Sequence, residues 1–323
     1  MKLLALLGFA STLALAAPAL AQTTLKFAHP VPEADIQHTM ALHFKKEVEA
    51  RTKGSVKVTV FPQGQLGNDA AMIDGTRSGI IDMTMTGLNN LTGLVPESGA
   101  MELPFIFPKR EDAYKVLDGE IGKGISAKFA GHGLKVLGYP ENGYRNMTNN
   151  RGPIRTPKDV SGLNMRVNNS KALSDMFAAL GANPTQLPVA ELYTALETRV
   201  VDAQDHPIGI VVSFKFNEVQ KYLSLTQHAY SALAFVMNDA KFKKLTPDEQ
   251  KVIVDVATES TAMQRKLAQE KEAGMIADLK KAGMQVNTDV DAPAFQASVK
   301  SVWDKFTAQY GDTVVKAIMA TQK

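Results

Sequence analysis

The sequence predicts one unusually long helix near the C-terminus, over residues 247 to about 281. Thr246 is a suitable N-cap, the proline after it suits the first helical position, and Glu249 closes a capping box. No further proline occurs before Pro293. At 1.5 Å per residue such a helix is roughly 50 Å long, which exceeds the width of one small lobe. We therefore expect two lobes that the helix crosses, with Gly274 as the place where it would bend.

The rest of the chain alternates between strand and helix patterns. The predicted strands are at 24–28, 56–61, 80–85, 134–139, 144–148, 163–167, 200–203 and 226–236. The predicted helices before the long one are at 34–52, 68–78, 111–130, 171–180 and 189–198. The first five elements follow a βαβαβ order, which is typical of a parallel sheet with helices on its faces. The sequence therefore predicts an α/β fold.

The first 21 residues have the pattern of a secretory signal peptide. Lys2 gives a positive start, residues 3–15 are an apolar stretch, and small residues at 19–21 suit a cleavage site. The apolar run breaks at Pro18, which disfavours a membrane anchor, and the chain has no cysteine for lipid attachment. No later run approaches the roughly 20 apolar residues of a membrane helix. We expect cleavage before Gln22 and export.

Charge and cysteine content exclude several classes of function. The chain has 36 Lys and Arg residues against 33 Asp and Glu residues, a formal net charge of +3. The lysines are scattered and have no aromatic residues between them, so nucleic acid is not an expected partner. The absence of cysteine excludes disulfides and thiol catalysis and argues against a structural zinc site.

No sequence motif points to an enzyme. The six histidines form neither HExxH nor another recognised metal-ligand spacing. There is no G-x-S-x-G turn, no P-loop and no G-x-G-x-x-G motif, and the glycines of residues 118–126 lie within a helical pattern. The sequence therefore predicts no catalytic residue, no metal and no cofactor.

Arg166 is the strongest candidate for a binding residue. It lies in the predicted strand 163–167, where Leu163, Met165 and Val167 form an apolar face. A buried arginine without an anionic partner is costly, and a guanidinium can hold a carboxylate with two parallel hydrogen bonds. Arg166 therefore indicates an anion site in a cleft, whereas the alternative is that its face of the strand is plain wet surface.

Other polar residues lie near the ends of strands in the predicted second lobe. In open α/β sheets, ligands bind beyond the carboxyl ends of the strands. Arg145 either contacts a ligand or pairs with Glu141 or a loop carbonyl, and both interpretations remain open. The histidine of the "QDHP" segment either contacts a ligand or is a helix-capping or buried, hydrogen-bonded residue. The candidates near strand ends are Arg166, Asn168, Asp205 and His206.

Several long motifs occur in one order along the chain. They are "LKFAHPVPE" (25–33), "VKVTVFPQGQLGND" (56–69), "MELPFIF" (101–107), "NGYRNMTNNRGPIRTPKDVSGLNMRV" (142–167), "ALGANPTQLPVAELYTALETRVVDAQDHP" (179–207) and "KFNEVQKYLSLTQHAY" (215–230). With these motifs the chain resembles the periplasmic solute-binding proteins of tripartite ATP-independent periplasmic (TRAP) transporters, the DctP-like or C4-dicarboxylate-binding family. The resemblance covers essentially the whole chain after the leader.

The resemblance implies a function and a set of contacts. Proteins of this family close two α/β lobes around an organic acid in the periplasm and deliver it to a membrane permease that uses an ion gradient. By motif position, Arg166 would make the bidentate contact with the carboxylate and Arg145 would be a second anion contact. The first-lobe candidates, again by motif position, are His29, Asn68, Thr86 and Asn89.

The chain departs from the family pattern at the cleft. His206 stands where the family usually has a ligand-contacting asparagine, Asp205 where it has glutamate, and Ala203 where it has glycine. Val189 stands where phenylalanine is frequent. A histidine can donate or accept a hydrogen bond and can change charge near neutral pH. The ligand therefore stays open among the family's dicarboxylates, sugar acids, keto and hydroxy acids, aromatic acids and cyclic acids such as pyroglutamate.

We expect a monomer with lobe I at residues 22–143 and about 232–271, and lobe II at residues 144–231 and about 272–323. The cleft between the lobes would hold the ligand. Two other functions remain open: a ligand sensor of the same fold that acts on a signalling receptor, and a periplasmic enzyme that acts on a carboxylate.

Overall fold

The computed structural model describes residues 22–322, and the predicted signal peptide lies outside the described residues. The fold is mixed α/β with two lobes, as the sequence predicted. Within residues 22–322, no helix has the length and apolar character that crossing a membrane requires.

Ten strands form the sheet structure of the described residues. They are β1 (Thr23–Ala28), β2 (Val56–Phe61), β3 (Met83–Gly87), β4 (Leu134–Gly138), β5 (Glu141–Asn149), β6 (Asn164–Val167), β7 (Asn183–Gln186), β8 (Ala203–His206), β9 (Tyr222–Asn238) and β10 (Gln285–Asn287).

Helices cover much of the remaining chain. The α-helices are α1 (Ile36–Arg51), α2 (Asp69–Ser78), α3 (Arg110–Asp118), α4 (Glu120–Ala130), α5 (Lys171–Ala179), α6 (Val189–Glu197), α7 (Ile208–Ser213), α8 (Asp239–Lys244), α9 (Pro247–Lys281), α10 (Ala292–Ser298), α11 (Lys300–Tyr310) and α12 (Thr313–Thr321). Short 3-10 helices lie at Leu88–Leu91, Pro96–Glu102, Pro157–Val160 and Phe216–Glu218.

Each lobe has its own set of neighbouring strands. In the first lobe, β1 lies between β2 and β3 and is parallel to both, which confirms the predicted βαβαβ unit. In the second lobe, β8 is antiparallel to β5 and parallel to β6, and β6 is parallel to β7. The strand order is β2-β1-β3-β9-β5-β8-β6-β7, so β9 joins the two sets.

Strand β9 is long because it serves both lobes. It has 17 residues. Its first half pairs antiparallel with β5, with Ala229 opposite Arg145, and its second half pairs antiparallel with β3, with Ala234 opposite Thr86. The second half is also held by ring packing, since Phe27 of β1 stacks on Phe235 at 4.7 Å between ring centroids. A continuous strand therefore links the lobes at the hinge.

Helix α9 is the second element that spans both lobes, as predicted. Thr246 accepts a hydrogen bond from the backbone N–H of Glu249, which completes the capping box. The helix packs against α1 in the first lobe and against α7 and β10 in the second. The helix runs through Gly274 without interruption, and a bend at this glycine stays a prediction.

Several predicted elements have different bounds in the structure, among them β5 and β9, which are both longer than predicted. The strand predicted over 80–85 is β3, three residues later, because the side chain of Asp82 bonds the backbone of Lys26 in a turn. The strand predicted over 200–203 is β8, which begins only at Ala203 and ends at His206, because the polar residues after Ala203 pair with β5. The helix predicted over 111–130 is divided at Gly119, which has an extended backbone.

The lobe boundaries inferred from the sequence stay a prediction. Helix α11 packs against α5 of the second lobe, whereas α12 packs against α3 and α4. The C-terminal helices therefore touch elements on both sides of the proposed division.

Candidate ligand-binding site

A cavity of about 270 Å³ lies between the two lobes. Its second-lobe wall comes from β5, β6, the segment before α6, and the end of β8 with α7. The wall consists of Pro30, Val31, Gln37, Asn68, Asp69, Ala70, Gly87, Asn89, Asn90, Asn142, Arg145, Arg166, Asn168, Asn169, Gln186, Leu187, Pro188, Val189, His206, Ile210, Phe214 and Leu233. Seven of the ten predicted contact residues are among them.

Arg166 lies on this wall and has no carboxylate within 4.0 Å among residues 22–322. Arg166 is 2% exposed to solvent. Burial, followed by the positive charge of Arg145, lowers the pKa of Arg166 to about 10. The alternative of a wet surface is wrong at this position, because Arg166 is buried, although Asn164 at the start of the strand is exposed. A buried cation that lacks an anion favours the binding of one.

The hydrogen bonds of Arg166 leave part of its guanidinium free for a ligand. Nε and Nη2 donate to the carbonyl oxygen of Leu187 at 3.0 and 2.6 Å, and Nη1 donates to Nε2 of His206 at 3.1 Å. A guanidinium has five N–H groups, so these contacts leave one on Nη1 and one on Nη2. Two such groups are what a bidentate carboxylate contact requires.

Arg145 has its charge balanced inside the protein, unlike Arg166. Its Nε donates to Oδ2 of Asp205 at 2.6 Å, and its Nη2 donates to Oδ1 at 3.1 Å. Burial acts to raise the pKa of Asp205, but the charge of Arg145 and a hydrogen bond from His228 hold it well below its ordinary range. The predicted partner Glu141 instead bonds Arg110 and Tyr114.

Asp205 is not on the cavity wall, so the structure corrects its predicted contact with a ligand. Successive side chains of β8 point to opposite faces, and His206 faces the cavity while Asp205 lies behind Arg145. The residue is wholly buried, and its Oδ2 also accepts a hydrogen bond from Nε2 of His228 at 3.1 Å. A carboxylate here holds Arg145 in place rather than meeting an anionic ligand.

His206 is held in one protonation state by its neighbours. Nδ1 donates to Oε1 of Gln204, and Nε2 accepts from Arg166. Burial, together with the charges of Arg166 and Arg145, keeps the pKa of His206 well below its ordinary value. The lowered pKa favours the neutral ring, so His206 does not use the change of charge that a histidine can undergo near neutral pH. Both ring nitrogens are occupied, so His206 orients the guanidinium of Arg166.

Asp69 is a wall residue that the sequence analysis missed. It begins α2 next to Asn68, and the hydroxyl of Thr86 donates to its Oδ1. Burial raises the pKa of Asp69, against the effects of Thr86 and the charge of Arg166. An acidic residue in the first turn of a helix is usually explained by its favourable interaction with the helix dipole. The sequence therefore contained no separate signal that Asp69 belongs to the cavity wall. Thr86 is itself not on the wall, so its predicted ligand contact is replaced by this support of Asp69.

His29 is also absent from the wall. It is wholly buried, and its Nε2 lies 3.0 Å from Nδ1 of His38. Burial and the neighbouring His38 lower the pKa of His29 to about 4. The next two residues, Pro30 and Val31, reach the cavity instead, because the chain turns after β1. The predicted contact of His29 with a ligand is therefore not supported by its position.

Amide side chains dominate the polar part of the wall. Asn68, Asn89 and Asn168 were predicted, and their contact with a ligand stays a prediction. Asn68 also caps α2 by accepting from the backbone N–H of Ala71 at 3.0 Å. Amides missed by the sequence analysis are Gln37, Asn90, Asn142, Asn169 and Gln186, which belong to separate elements and share no motif. Val189 lies on an apolar part of the wall with Leu187, Pro188, Ile210 and Phe214.

No group of three or more histidine or acidic side chains within residues 22–322 is placed to hold a metal ion. The arrangement that the structure does provide is a partly polar cavity with one buried guanidinium, that of Arg166, which no carboxylate of residues 22–322 approaches within 4.0 Å. It suits recognition of an anion rather than a reaction on it.

Comparisons with known proteins show the family to which the chain belongs. The chain matches the model of bacterial extracellular solute-binding protein, family 7 (DctP), over residues 27–309. It is 44% identical to the 2,3-diketo-L-gulonate-binding periplasmic protein YiaO of Escherichia coli (strain K12) over 319 residues, which are 98% of this chain and 97% of that protein.

Two solved structures show the same architecture. A TRAP periplasmic solute-binding protein from Polaromonas sp. JS666, bound to D-erythronate, has a TM-score of 0.90 and 36% identity and covers 93% of this chain and 99% of that one. One from Sulfurospirillum deleyianum DSM 6946, with bound succinate, has a TM-score of 0.89 and 31% identity, with coverage of 93% and 99%. These relatives are solute-binding proteins of transporters and not enzymes. This chain belongs to the DctP family of bacterial extracellular solute-binding proteins, family 7.

Proposed function

We propose that this protein is the periplasmic solute-binding subunit of a TRAP transporter and that it binds a small acid with one carboxylate and several hydroxyl or keto groups. The observation that carries the proposal is Arg166, a buried guanidinium on the cavity wall with two N–H groups left over. A ligand carboxylate would accept both hydrogen bonds and would neutralise the charge.

The charges around the cavity favour a monocarboxylate. Arg145 is already paired with Asp205, so its positive charge is largely balanced and it would attract a second carboxylate only weakly. Across the cavity stands Asp69, which is itself acidic. Like charges close together in a buried site are unfavourable. A second carboxylate that reached Asp69 would therefore bind less well than a hydroxyl group that donates to it.

The amides favour a ligand with hydroxyl or keto groups. An amide side chain offers both donors and an acceptor, and it pairs with a hydroxyl without a charge mismatch. Eight asparagine and glutamine side chains stand on the wall, in both lobes. The E. coli relative is named for 2,3-diketo-L-gulonate, and the Polaromonas relative binds D-erythronate. Both are carboxylates with several oxygen substituents, which supports a sugar acid as the ligand here.

Capture would occur by closure of the lobes. The cavity draws its wall from both lobes, and β9, α9 and the start of β5 run between them. A ligand shifts an open–closed equilibrium by its differential affinity for the closed form. The closed protein would then be the form that a membrane permease receives. The relatives named as periplasmic proteins support the same location for this chain, after removal of residues 1–21.

A ligand screen tests the proposal. The chain from Gln22 onward is purified, and its melting temperature is measured with aldonic, uronic, keto and dicarboxylic acids. We expect sugar acids to raise the melting temperature most, with binding then measured by calorimetry and any co-purified acid identified by mass spectrometry. A protein stabilised only by dicarboxylates would contradict the monocarboxylate, and recovery of a chemically altered acid would contradict a binding function.

A further inference from the structure

Glu102 is a buried acid beside the anion site that the proposed function does not use. It ends the 3-10 helix Pro96–Glu102 and is 6% exposed. Neither Oε1 nor Oε2 has a hydrogen-bond partner in the part of the chain that the structure describes. An ionised carboxylate in such a place is costly, because burial removes the water that would otherwise solvate it.

The position of Glu102 relative to Arg145 connects it to the site. Its Oε1 lies 3.7 Å from Nη1 of Arg145, which is within ion-pair range and beyond a hydrogen bond. The Nε and Nη2 of the same arginine bond Asp205. Nη1 is thus the part of Arg145 that approaches Glu102, while its other nitrogens pair with Asp205.

Binding of an anionic ligand changes the charge balance of the buried groups around Arg145 and Arg166. Arg145 and Arg166 carry two positive charges, and ionised Asp205 and Glu102 would carry two negative ones. A bound carboxylate adds a third negative charge to this buried cluster. Asp205 has hydrogen bonds from Arg145 and His228 to keep it ionised, whereas Glu102 has the neutral side chains of Ser170 and Asn168 near it, and neither makes a well-formed hydrogen bond to its oxygens. Glu102 is therefore the carboxyl group that would become protonated, and so neutral, when a third anion binds.

We propose that Glu102 takes up a proton from solvent when a ligand carboxylate binds beside Arg166 and Arg145, so that the protein captures an anion together with a proton. This inference rests on the proposed function and assigns a proton-binding residue to the same site. Burial raises the pKa of Glu102, and the charge of Asp205 adds to that effect, while the charge of Arg145 and the polar side chains of Ser170 and Asn168 oppose it. A ligand anion would raise the pKa further.

The other charged groups around Glu102 do not provide an alternative partner. Strand β5 contributes Arg145, β8 contributes Asp205, and β9 contributes His228, which bonds Asp205. The residues that begin α5 beside it, Asn168 and Ser170, are neutral. The charged residues of the neighbouring helices lie at the surface: Lys171 and Asp175 pair with each other on α5, and Lys300, Asp304, Lys305 and Lys316 are exposed on or beside α11 and α12.

Calorimetry in buffers of different ionisation enthalpy measures proton uptake directly. With D-erythronate as the probe, we expect the unmodified protein to take up a fraction of a proton per ligand near neutral pH. We also expect its affinity to fall by up to tenfold per pH unit as the pH rises above the range in which Glu102 is protonated. Zero uptake at every pH from 6 to 9 would overturn the inference without any variant.

Two variants test whether Glu102 is the residue that takes up the proton. Glu102→Gln is neutral and of the same shape, so it should bind with the affinity of the unmodified protein at low pH, with no proton uptake and a flat pH profile. Glu97→Gln is the matched control, because Glu97 belongs to the same 3-10 helix and pairs with Lys128 at the surface. It should keep both the uptake and the pH profile.

Asp69 is the competing explanation, since it also lies on the wall and is acidic. Uptake that persists in Glu102→Gln and disappears in Asp69→Asn would overturn the assignment to Glu102. If neither D-erythronate nor any other acid binds the unmodified protein, the proposed function itself fails. A protein that binds an acid without a Glu102-dependent proton refutes only the present inference.

Discussion

Nη1 of Arg166 donates a hydrogen bond to Nε2 of His206 at 3.1 Å, and this contact explains why a histidine is accepted in the cleft. A protonated ring would place a third positive charge beside two arginines, so the ring stays neutral and acts as an acceptor. The side-chain oxygen of an asparagine could accept the same hydrogen bond. His206 therefore keeps Arg166 in orientation, although it differs from the residue usual at this motif position.

Replacement of Arg166 by lysine should weaken binding of a ligand carboxylate by about 10-fold to 150-fold, which corresponds to roughly 1.5–3 kcal/mol for a charge-assisted hydrogen bond. An ammonium group keeps the charge but cannot form the two parallel hydrogen bonds. Calorimetry with the best acid of the screen measures the change. Arg155→Lys, at an exposed arginine, is the control, and equal affinities of the two variants would show that Arg166 does not hold the carboxylate.

Asp205→Asn should destabilise the protein by about 3–5 kcal/mol, because Arg145 would keep a buried charge without its partner. Urea unfolding of the free protein measures the loss. Asp289→Asn removes the partner of Arg155 at the surface and should have little effect, because exposed ion pairs contribute little. Similar losses in the two variants would mean that Asp205 is not needed to balance Arg145.

Acid should destabilise the protein through His29, whose folded pKa is about 4 because of burial and His38. Unfolded histidine has a pKa of about 6.5, so below this value the unfolded chain binds a proton that the folded protein rejects. The contribution of His29 is therefore fully present above about pH 6.5 and is lost as the pH falls toward 4, by up to about 3 kcal/mol.

His29→Gln tests this pH dependence. Its free energy of unfolding should fall less between pH 7 and pH 4.5 than that of the unmodified protein, as measured by urea titration at each pH. His132→Gln, at an exposed histidine after α4, should retain the full decrease. A decrease of unchanged size in His29→Gln would exclude His29 as its source.

Gln264→Ala should cost about 2–4 kcal/mol of stability at the hinge. The Gln264 amide on α9 accepts from the backbone N–H of Glu141 at 2.9 Å and donates to its carbonyl oxygen at 2.7 Å. Both backbone groups are buried, and each would lose its partner at about 1–3 kcal/mol. Thermal unfolding measures the effect, and Gln309→Ala, at an exposed position of α11, provides the comparison. Equal stabilities would show that α9 does not hold the hinge through this amide.

The sequence was sufficient wherever a local pattern decides the outcome. The capping signals at Thr246 and Glu249 and the lack of proline up to residue 293 predicted α9 and, from its length, two lobes. The alternation in 163–167 predicted the strand that carries Arg166, since period-two burial is a local property of the backbone. Motif order indicated the family and seven of the 22 residues of the cavity wall.

Tertiary structure decided which polar groups face one another. Asp205 is adjacent to His206 in the chain but supports Arg145 from behind, and Asp69 reaches the wall because Thr86 of another strand holds it. The ten-strand order, the sharing of β9 and the unpartnered oxygens of Glu102 depend on contacts between distant segments. A residue pattern fixes the face of an element that is buried, whereas charge balance in a buried site depends on every group within a few ångströms, and only the folded chain determines which groups those are.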